Sequence, residues 1–181
     1  MFNLNIESYL NSKGLTTSST FQKGNLTPSG SSIPWSGVEH ITSTKSGLRY
    51  KIYSEYKNDN IECLGQTIKT SLEKFCIEEI GIAGLGIYGG YRDTIQVTRE
   101  DNSLLTLPIK FSSFLKNDVC YKGNHKLYEE YDFIYNKNVY EIPNQVGLIW
   151  ECFLKLEYPM KVKSIQLPIN PCIHIFSITC R

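Results

Sequence analysis

A loop that combines glycines, aromatic rings and charged groups runs from Gly86 to Asp93. Its glycines let the backbone turn sharply, and Tyr88 and Tyr91 supply two rings for ligand contact. Arg92 and Asp93 add a hydrogen-bond donor and an acceptor at the end of the loop. The pattern favours a ligand-binding loop, and the alternative is an ordinary hairpin with exposed tyrosines and a surface ion pair.

Trp35 is the second candidate for ligand contact, because it follows a segment that is rich in Ser, Thr, Gly and Pro. An exposed tryptophan in such a segment would indicate a binding partner. The alternative is that its ring pins the segment to the core. Trp150 lies on the apolar side of an alternating run, and we expect it in the core.

The sequence shows no arrangement of side chains suited to catalysis, and we expect a protein that is not an enzyme. Glycoside hydrolysis needs two carboxylates that face each other across a pocket. The pairs Glu78–Glu79 and Glu129–Glu130 are adjacent, so in strands their members would point to opposite faces. The nucleophile-elbow, zinc-protease and phosphate-loop motifs are absent from the sequence.

The six cysteines and three histidines do not have the spacing of a metal site, since C-x-x-C is absent and the histidines are far apart. In a chain of this length the cysteines favour free, buried thiols over disulfides or zinc. A catalytic cysteine–histidine pair would require His125 or His174 to lie in a cleft beside Cys120 or Cys172. Otherwise we expect His174 to be structural and His125 to be a solvated loop residue.

Alternating apolar and polar residues indicate the strands that must position these groups. The clearest run extends from Leu148 to Glu157, where period two fits better than the 3.6-residue period of a helix. This pattern places Glu151 on the solvent side and predicts a turn at Tyr158–Pro159. Further alternating runs occupy 48–53, 94–98, 104–111 and 161–180; the third has an edge or bulge at Pro108 and the last is hinged at 167–171.

Short strands at this spacing predict an all-β fold, an antiparallel β-sandwich or barrel, with a helical turn only at 70–75. The length of 181 residues suits a single domain over 1–181. Residues 15–45 are dense in Ser, Thr, Gly and Pro, and this composition predicts a long surface loop.

The charge balance and hydropathy exclude two classes of partner. The net charge is +1 and the basic residues are scattered, which gives no footprint for nucleic acid. No apolar run approaches the ~20 residues of a membrane span. The N-terminus lacks a basic leader and an apolar core, which predicts a cytoplasmic chain or a piece of a larger precursor.

Several motifs resemble those of galactose-binding-like jelly-roll modules that accompany glycoside hydrolases. Residues 58–68, NDNIECLGQTI, resemble the module's PDNVxxxGQTI, and residues 164–179, SIQLPINPCIHIFSIT, match its closing strands. Residues 4–14, LNIESYLNSKG, are similar to its opening, and the segment from Phe21 to Pro34 corresponds to its Ser-Tyr-Pro loop. Where the module has Asp after the loop Phe, this chain has Gln22, and calcium in the 22–32 loop stays an open alternative to no cofactor.

The resemblance implies a jelly-roll β-sandwich that binds a carbohydrate through loops at one end without catalysis. The ligand-binding residues would then be Trp35, Tyr88, Tyr91, Arg92 and Asp93. The alternative is a protein–protein interaction or assembly module on the same scaffold, with no sugar ligand. The absence of a leader favours this alternative, because most glycans lie outside the cytoplasm.

Overall fold

The computed structural model describes residues 1–70, 75–116, 121–130 and 132–181. These residues form short and long strands, with two three-residue 3₁₀ helices at Glu7–Tyr9 and Phe21–Lys23. The strands are β1 Phe2–Asn3, β2 Leu15–Thr16, β3 Ser31–Pro34, β4 His40–Thr42, β5 Arg49–Lys51, β6 Ile61–Leu64, β7 Thr67–Lys69, β8 Cys76–Gly86, β9 Tyr91–Arg99, β10 Leu104–Phe111, β11 His125–Glu130, β12 Phe133–Asn136, β13 Tyr140–Pro143, β14 Gly147–Gln166 and β15 Ile169–Cys180.

The long strand β14 belongs to two sheets and joins them. Its first part pairs with β8 in a middle sheet, which also contains β15, β1, β6 and β11. From Val162 onward it pairs with β9 and β7 in a front sheet that ends at β10. The predicted turn at Tyr158–Pro159 is wrong, because β14 continues through these residues. A register shift between Lys155 and Met160 takes up Pro159, which cannot donate to the ladder.

Side chains from the middle and front sheets pack into a first core. The middle sheet contributes alternate residues of β8 and β15, and the front sheet contributes β9 and β10. This core includes Ile80, Ile82, Ile95, Val97, Ile109, Phe111, Ile173, Ile175 and Ile178. The predicted all-β fold with antiparallel sheets is confirmed, and it is consistent with a β-sandwich. Pro108 lies on the edge strand β10, as predicted.

A second core covers the opposite face of the middle sheet. It is closed by a four-stranded sheet of order β13-β12-β3-β2 and by the β4–β5 hairpin. The segment 15–45 is therefore more than a surface loop, because it contains β2, β3 and β4. Four of its apolar residues are buried in this second core, namely Leu15, Leu26, Ile33 and Trp35. The polar composition of the segment did not indicate this burial.

Glu151 lies inside the second core rather than in solvent, which corrects the expectation from alternation. Its carboxylate accepts hydrogen bonds from Ser43 Oγ at 2.8 Å, Ser46 Oγ at 2.5 Å and Tyr50 Oη at 2.6 Å. Burial and this carboxylate together raise the pKa of Tyr50. These bonds fasten the β4–β5 hairpin to β14.

The cysteines of the described residues are unpaired, and Cys120 lies outside those residues. Burial raises the pKa of Cys63 and Cys152, and raises that of Cys180 to about 12, so these thiols are protonated at neutral pH. The predicted helical turn at 70–75 also falls largely outside the described residues. Within them, no helix has the length and apolar character needed to cross a membrane.

Candidate functional site

Two neighbouring grooves border the segment 13–28. The first has a volume of about 700 Å³ and is lined by residues from 13–25, 35–37 and 54–58. The second has a volume of about 360 Å³ and is lined by residues from 25–28, 87–88 and 171–174, with Glu62 and Lys137. Both volumes fall in the range of about 300–1,000 Å³ typical of small-molecule sites. Asn25 borders both grooves.

A buried ion pair between Lys13 and Asp59 shapes the first groove. Lys13 Nζ lies 3.0 Å from Asp59 Oδ2 and donates to the carbonyls of Ser54 at 2.7 Å and Tyr56 at 3.1 Å. Asp59 also accepts hydrogen bonds from the backbone N–H groups of Gly14 and Leu15. Burial raises the pKa of Asp59, while the Lys13 charge and the hydrogen bond from the Gly14 N–H oppose the rise. The pair thus connects the two backbone segments that line this groove.

Tyr56 supplies the exposed ring of the first groove. It is 40% exposed, and its ring meets the buried Tyr53 ring edge-on at a centroid distance of 5.5 Å. The backbone carbonyl of Tyr56 is held by Lys13. Both the ring and the backbone of Tyr56 are therefore held in place before a ligand binds. This favours binding, because ordering the side chain costs little further conformational entropy.

Trp35 also lines the first groove but is only 6% exposed. Its ring packs against Tyr128 with centroids 4.3 Å apart, inside the second core. The ring thus pins its segment to the core, which was one of the two alternatives for this residue. Its Nε1–H is buried and has no hydrogen-bond partner among the described residues. A buried donor without an acceptor costs about 1–3 kcal/mol.

The remaining polar lining of the first groove consists of hydroxyl, amide and charged groups. Asn25 Oδ1 accepts hydrogen bonds from Ser12 Oγ at 3.1 Å and from the Lys13 backbone N–H. These bonds orient the amide so that Nδ2, a donor, has no partner among the described residues. Thr16, Thr17, Ser19 and Thr20 add hydroxyls, and Lys23, Glu55 and Lys57 are exposed at the groove.

The second groove combines an exposed ring with a buried acceptor. Tyr88 is 63% exposed and has a left-handed backbone with φ of 60°. His174 is 1% exposed, and its Nδ1 lies 2.7 Å from Asn60 Oδ1. Asn60 Nδ2 donates to Ser12 O and Asp59 Oδ1, so its Oδ1 must accept and His174 Nδ1 must carry the proton.

His174 therefore presents a lone pair on Nε2. Burial lowers its pKa to about 4, so the imidazole is neutral at physiological pH. Nε2 is buried and has no partner among the described residues. A residue that lines the second groove thus holds an unused acceptor of hydrogen bonds.

The structure distributes the predicted site residues over different surfaces. Trp35 lines the first groove and Tyr88 lines the second, whereas Tyr91, Arg92 and Asp93 line neither. Arg92 lies over the Tyr121 ring at 5.1 Å from its centroid, and Asp93 accepts a hydrogen bond from Asn170 Nδ2 at 3.1 Å. These two charged residues are already engaged within the fold.

A catalytic cysteine–histidine pair would require a histidine in a cleft beside a cysteine, and the structure meets this condition only in part. Cys172 and His174 line the same second groove, but no hydrogen bond joins them in the described part of the chain. An activated nucleophile needs its base within hydrogen-bond reach. His125 is half-buried at the start of β11 rather than in a solvated loop.

A metal site of three or more His, Cys, Asp or Glu side chains is absent from the described residues. The 22–32 loop contains no carboxylate in its sequence. Calcium in this loop stays an open alternative to the expectation of no cofactor.

Sequence reasoning missed Tyr56, Asn25, Glu62 and Lys137 as groove residues. Asn25 lies in the 21–34 loop, and Glu62 lies in the 58–68 motif, but neither has a local signature of binding. The backbone of Tyr56 is held at the groove by a hydrogen bond from Lys13, which pairs with Asp59. Lys13 and Asp59 are far apart in sequence. No spacing rule could have brought them together.

Comparison with known proteins does not assign the chain to a family. No protein-family model matches the sequence, and a search of curated proteins finds no match. The grooves and the motif resemblance are therefore the features from which a function can be inferred.

Proposed function

We propose that this protein is a non-catalytic carbohydrate-binding module of galactose-binding-like jelly-roll type, and that its ligand lies in the first groove. The observation that carries the proposal is the buried Trp35 N–H without a partner among the described residues, in a groove that Tyr56 also lines. Sugars offer both a face of C–H groups for an aromatic ring and hydroxyl oxygens for buried donors. The Asn25 amide and the threonine and serine hydroxyls suit the remaining sugar hydroxyls.

The motif resemblance supports the same proposal. Asp59 and Asn60 of the 58–68 motif bond the 4–14 segment, and Asn60 bonds His174 of the closing motif. The resembling segments thus contact one another and line the two grooves. The first groove is lined largely by loop residues, in agreement with the binding through loops that the resemblance implies.

The first test is a glycan-array screen of the purified chain, with calcium and with chelator, followed by calorimetry on each hit. We expect Tyr56→Ala to weaken binding by about two- to tenfold, since a stacked ring contributes about 0.5–1.5 kcal/mol. Trp35→Phe keeps an aromatic ring but removes the N–H, and we expect a loss of about three- to tenfold from one hydrogen bond.

Tyr158→Ala is the matched control, because Tyr158 is an exposed tyrosine on β14 that does not line either groove. Binding that survives Tyr56→Ala and Trp35→Phe unchanged would place the ligand elsewhere. Loss of binding in chelator would show that calcium takes part.

A blank array with a folded protein would favour a protein-interaction module instead. One observation supports that second candidate: Leu64 and Ile169 are cross-strand partners and are 54% and 82% exposed. Exposed apolar pairs of this kind suit contact with another protein.

A further inference from the structure

The second groove has the lining of a binding site and is not used by the function proposed above. Glu62 and Lys137 both line it, and neither side chain has an ion pair or hydrogen bond in the described part of the chain. The aliphatic part of Lys137 packs over Gly30, whose φ of +81° brings the backbone close. The groove is therefore lined by a cation, a carboxylate, an aromatic ring and His174, whose Nε2 is buried.

Tyr88 adds a second observation at the same place. A left-handed backbone is disfavoured for side chains other than those of Gly, Asn and Asp, yet a bulky tyrosine occupies it here. The ring is largely exposed, so the fold gains little packing from it. Such a conformation at the rim of a groove suits a residue retained for ligand contact.

His174 supplies the third observation, an acceptor that is nine-tenths buried and unpartnered. Its proton is fixed on Nδ1 by Asn60, so only a hydrogen-bond donor can satisfy Nε2. A hydroxyl group is such a donor. A lining with one carboxylate and one ammonium group favours an uncharged ligand over an anionic or cationic one.

We propose that the second groove is a subsite beside the first, and that it binds a further hydroxyl-bearing unit of one extended, uncharged glycan. Asn25 borders both grooves, so a glycan crossing it would contact Tyr56 on one side and Tyr88 on the other. Within the second groove, His174 Nε2 accepts a hydrogen bond from a ligand hydroxyl, and Glu62 and Lys137 bind neighbouring hydroxyls. This inference rests on the proposed function of the first groove.

The test is an NMR titration with a defined panel of neutral sugars. The panel contains D-glucose, D-galactose, D-mannose and D-xylose, and the β-1,4-linked dimers, trimers and tetramers of each. For the sugar that binds, we expect the monomer to shift amide signals at Asn25 and Tyr56 alone. The tetramer should also shift Tyr88 and Lys137 and bind at least about tenfold more tightly, the effect of one added subsite.

Tyr88→Gly separates binding from folding. It removes the ring but accepts the left-handed backbone, so the variant should fold as the wild type does. We expect tetramer affinity to fall toward that of the monomer, with monomer affinity unchanged. Tyr158→Ala is the control and should bind both as the wild type does.

The outcomes distinguish the two proposals. A tetramer that shifts only first-groove signals, or binds Tyr88→Gly as tightly as the wild type, would overturn the subsite and leave the first groove intact. Shifts in neither groove with any sugar of the panel would overturn the proposed function and the subsite together.

Discussion

His174 is held neutral inside the fold, where its Nδ1 bonds Asn60 and burial lowers its pKa to about 4. In an unfolded chain a histidine has a pKa near 6.5. At pH values between these two, the unfolded chain takes up a proton that the folded protein does not. Stability is thus fully present above pH 6.5 and is lost as the pH falls toward 4.

We predict that this one residue lowers the free energy of unfolding by about 3 kcal/mol between pH 6.5 and 4, at about 1.4 kcal/mol for each pH unit. Urea denaturation of the wild type and of His174→Gln across this window measures the effect. Gln cannot titrate but can still donate to Asn60, so its curve should fall less steeply. Parallel curves for the two proteins would contradict the prediction.

Single residues of the site were predictable to different degrees. Trp35 and Tyr88 line the two grooves, and their roles in binding stay predictions; for Trp35 the proposed role belongs to the indole N–H rather than to an exposed ring face. Arg92 and Asp93 lie in β9, and the fold uses them in contacts with Tyr121 and Asn170. Their local pattern could not reveal those partners, which are distant in sequence.

At the scale of elements, the Lys13–Asp59 pair connects the strand β2 region to the turn before β6. Lys13 and Asp59 side chains are 8% and 0% exposed. Removing one member of a buried pair leaves the other charge uncompensated, which typically costs about 3–5 kcal/mol. The pair also fixes the carbonyl of Tyr56.

We predict that Asp59→Asn destabilises the fold by about 3–5 kcal/mol and weakens ligand binding in the first groove. The double variant Lys13→Met with Asp59→Asn should recover part of that loss, because no buried charge remains. Urea denaturation of both single variants and the double variant measures the coupling. Independent, additive effects would show that the pair does not act as a unit.

Strand identity was well predicted, but strand continuity was not. The alternation over 148–157 agrees with β14, but the predicted hinge at 167–171 is too long, because β15 begins at Ile169 and runs through Pro171. Tyr158–Pro159 has the composition of a turn, yet β14 runs through it. A register shift can absorb a proline in a long strand, and that depends on pairing with β8, which a single strand does not reveal.

At the scale of the whole molecule, the middle sheet is covered on both faces, by the front sheet and by the second core. The near-continuous apolar run of Ile80 to Ile87 in and after β8 is typical of a strand buried on both sides. The sequence did not predict that both faces of the middle sheet are covered, because the carboxylate of Glu151 in β14 normally indicates a solvent-facing side. Its three hydroxyl donors come from 43–50, a segment without any apparent link to β14.

We predict that hydrogen exchange follows this layering. Backbone amides of β8 and β15 should exchange only through global unfolding, since both faces of these strands are packed. Amides of β13 and β10, which lie at sheet edges, should exchange at least about tenfold faster through local opening. Equal protection of edge and middle strands would contradict this order.

The pairing of β1 with β15 places Phe2 directly opposite Cys180. Residues 2 and 180 therefore lie side by side in the middle sheet. A linker of a few residues would close the polypeptide into a ring, and new termini opened in the Asp101–Asn102 turn would leave every ladder of the fold intact. The architecture is thus suited to circular permutation and to insertion within a loop of a host protein.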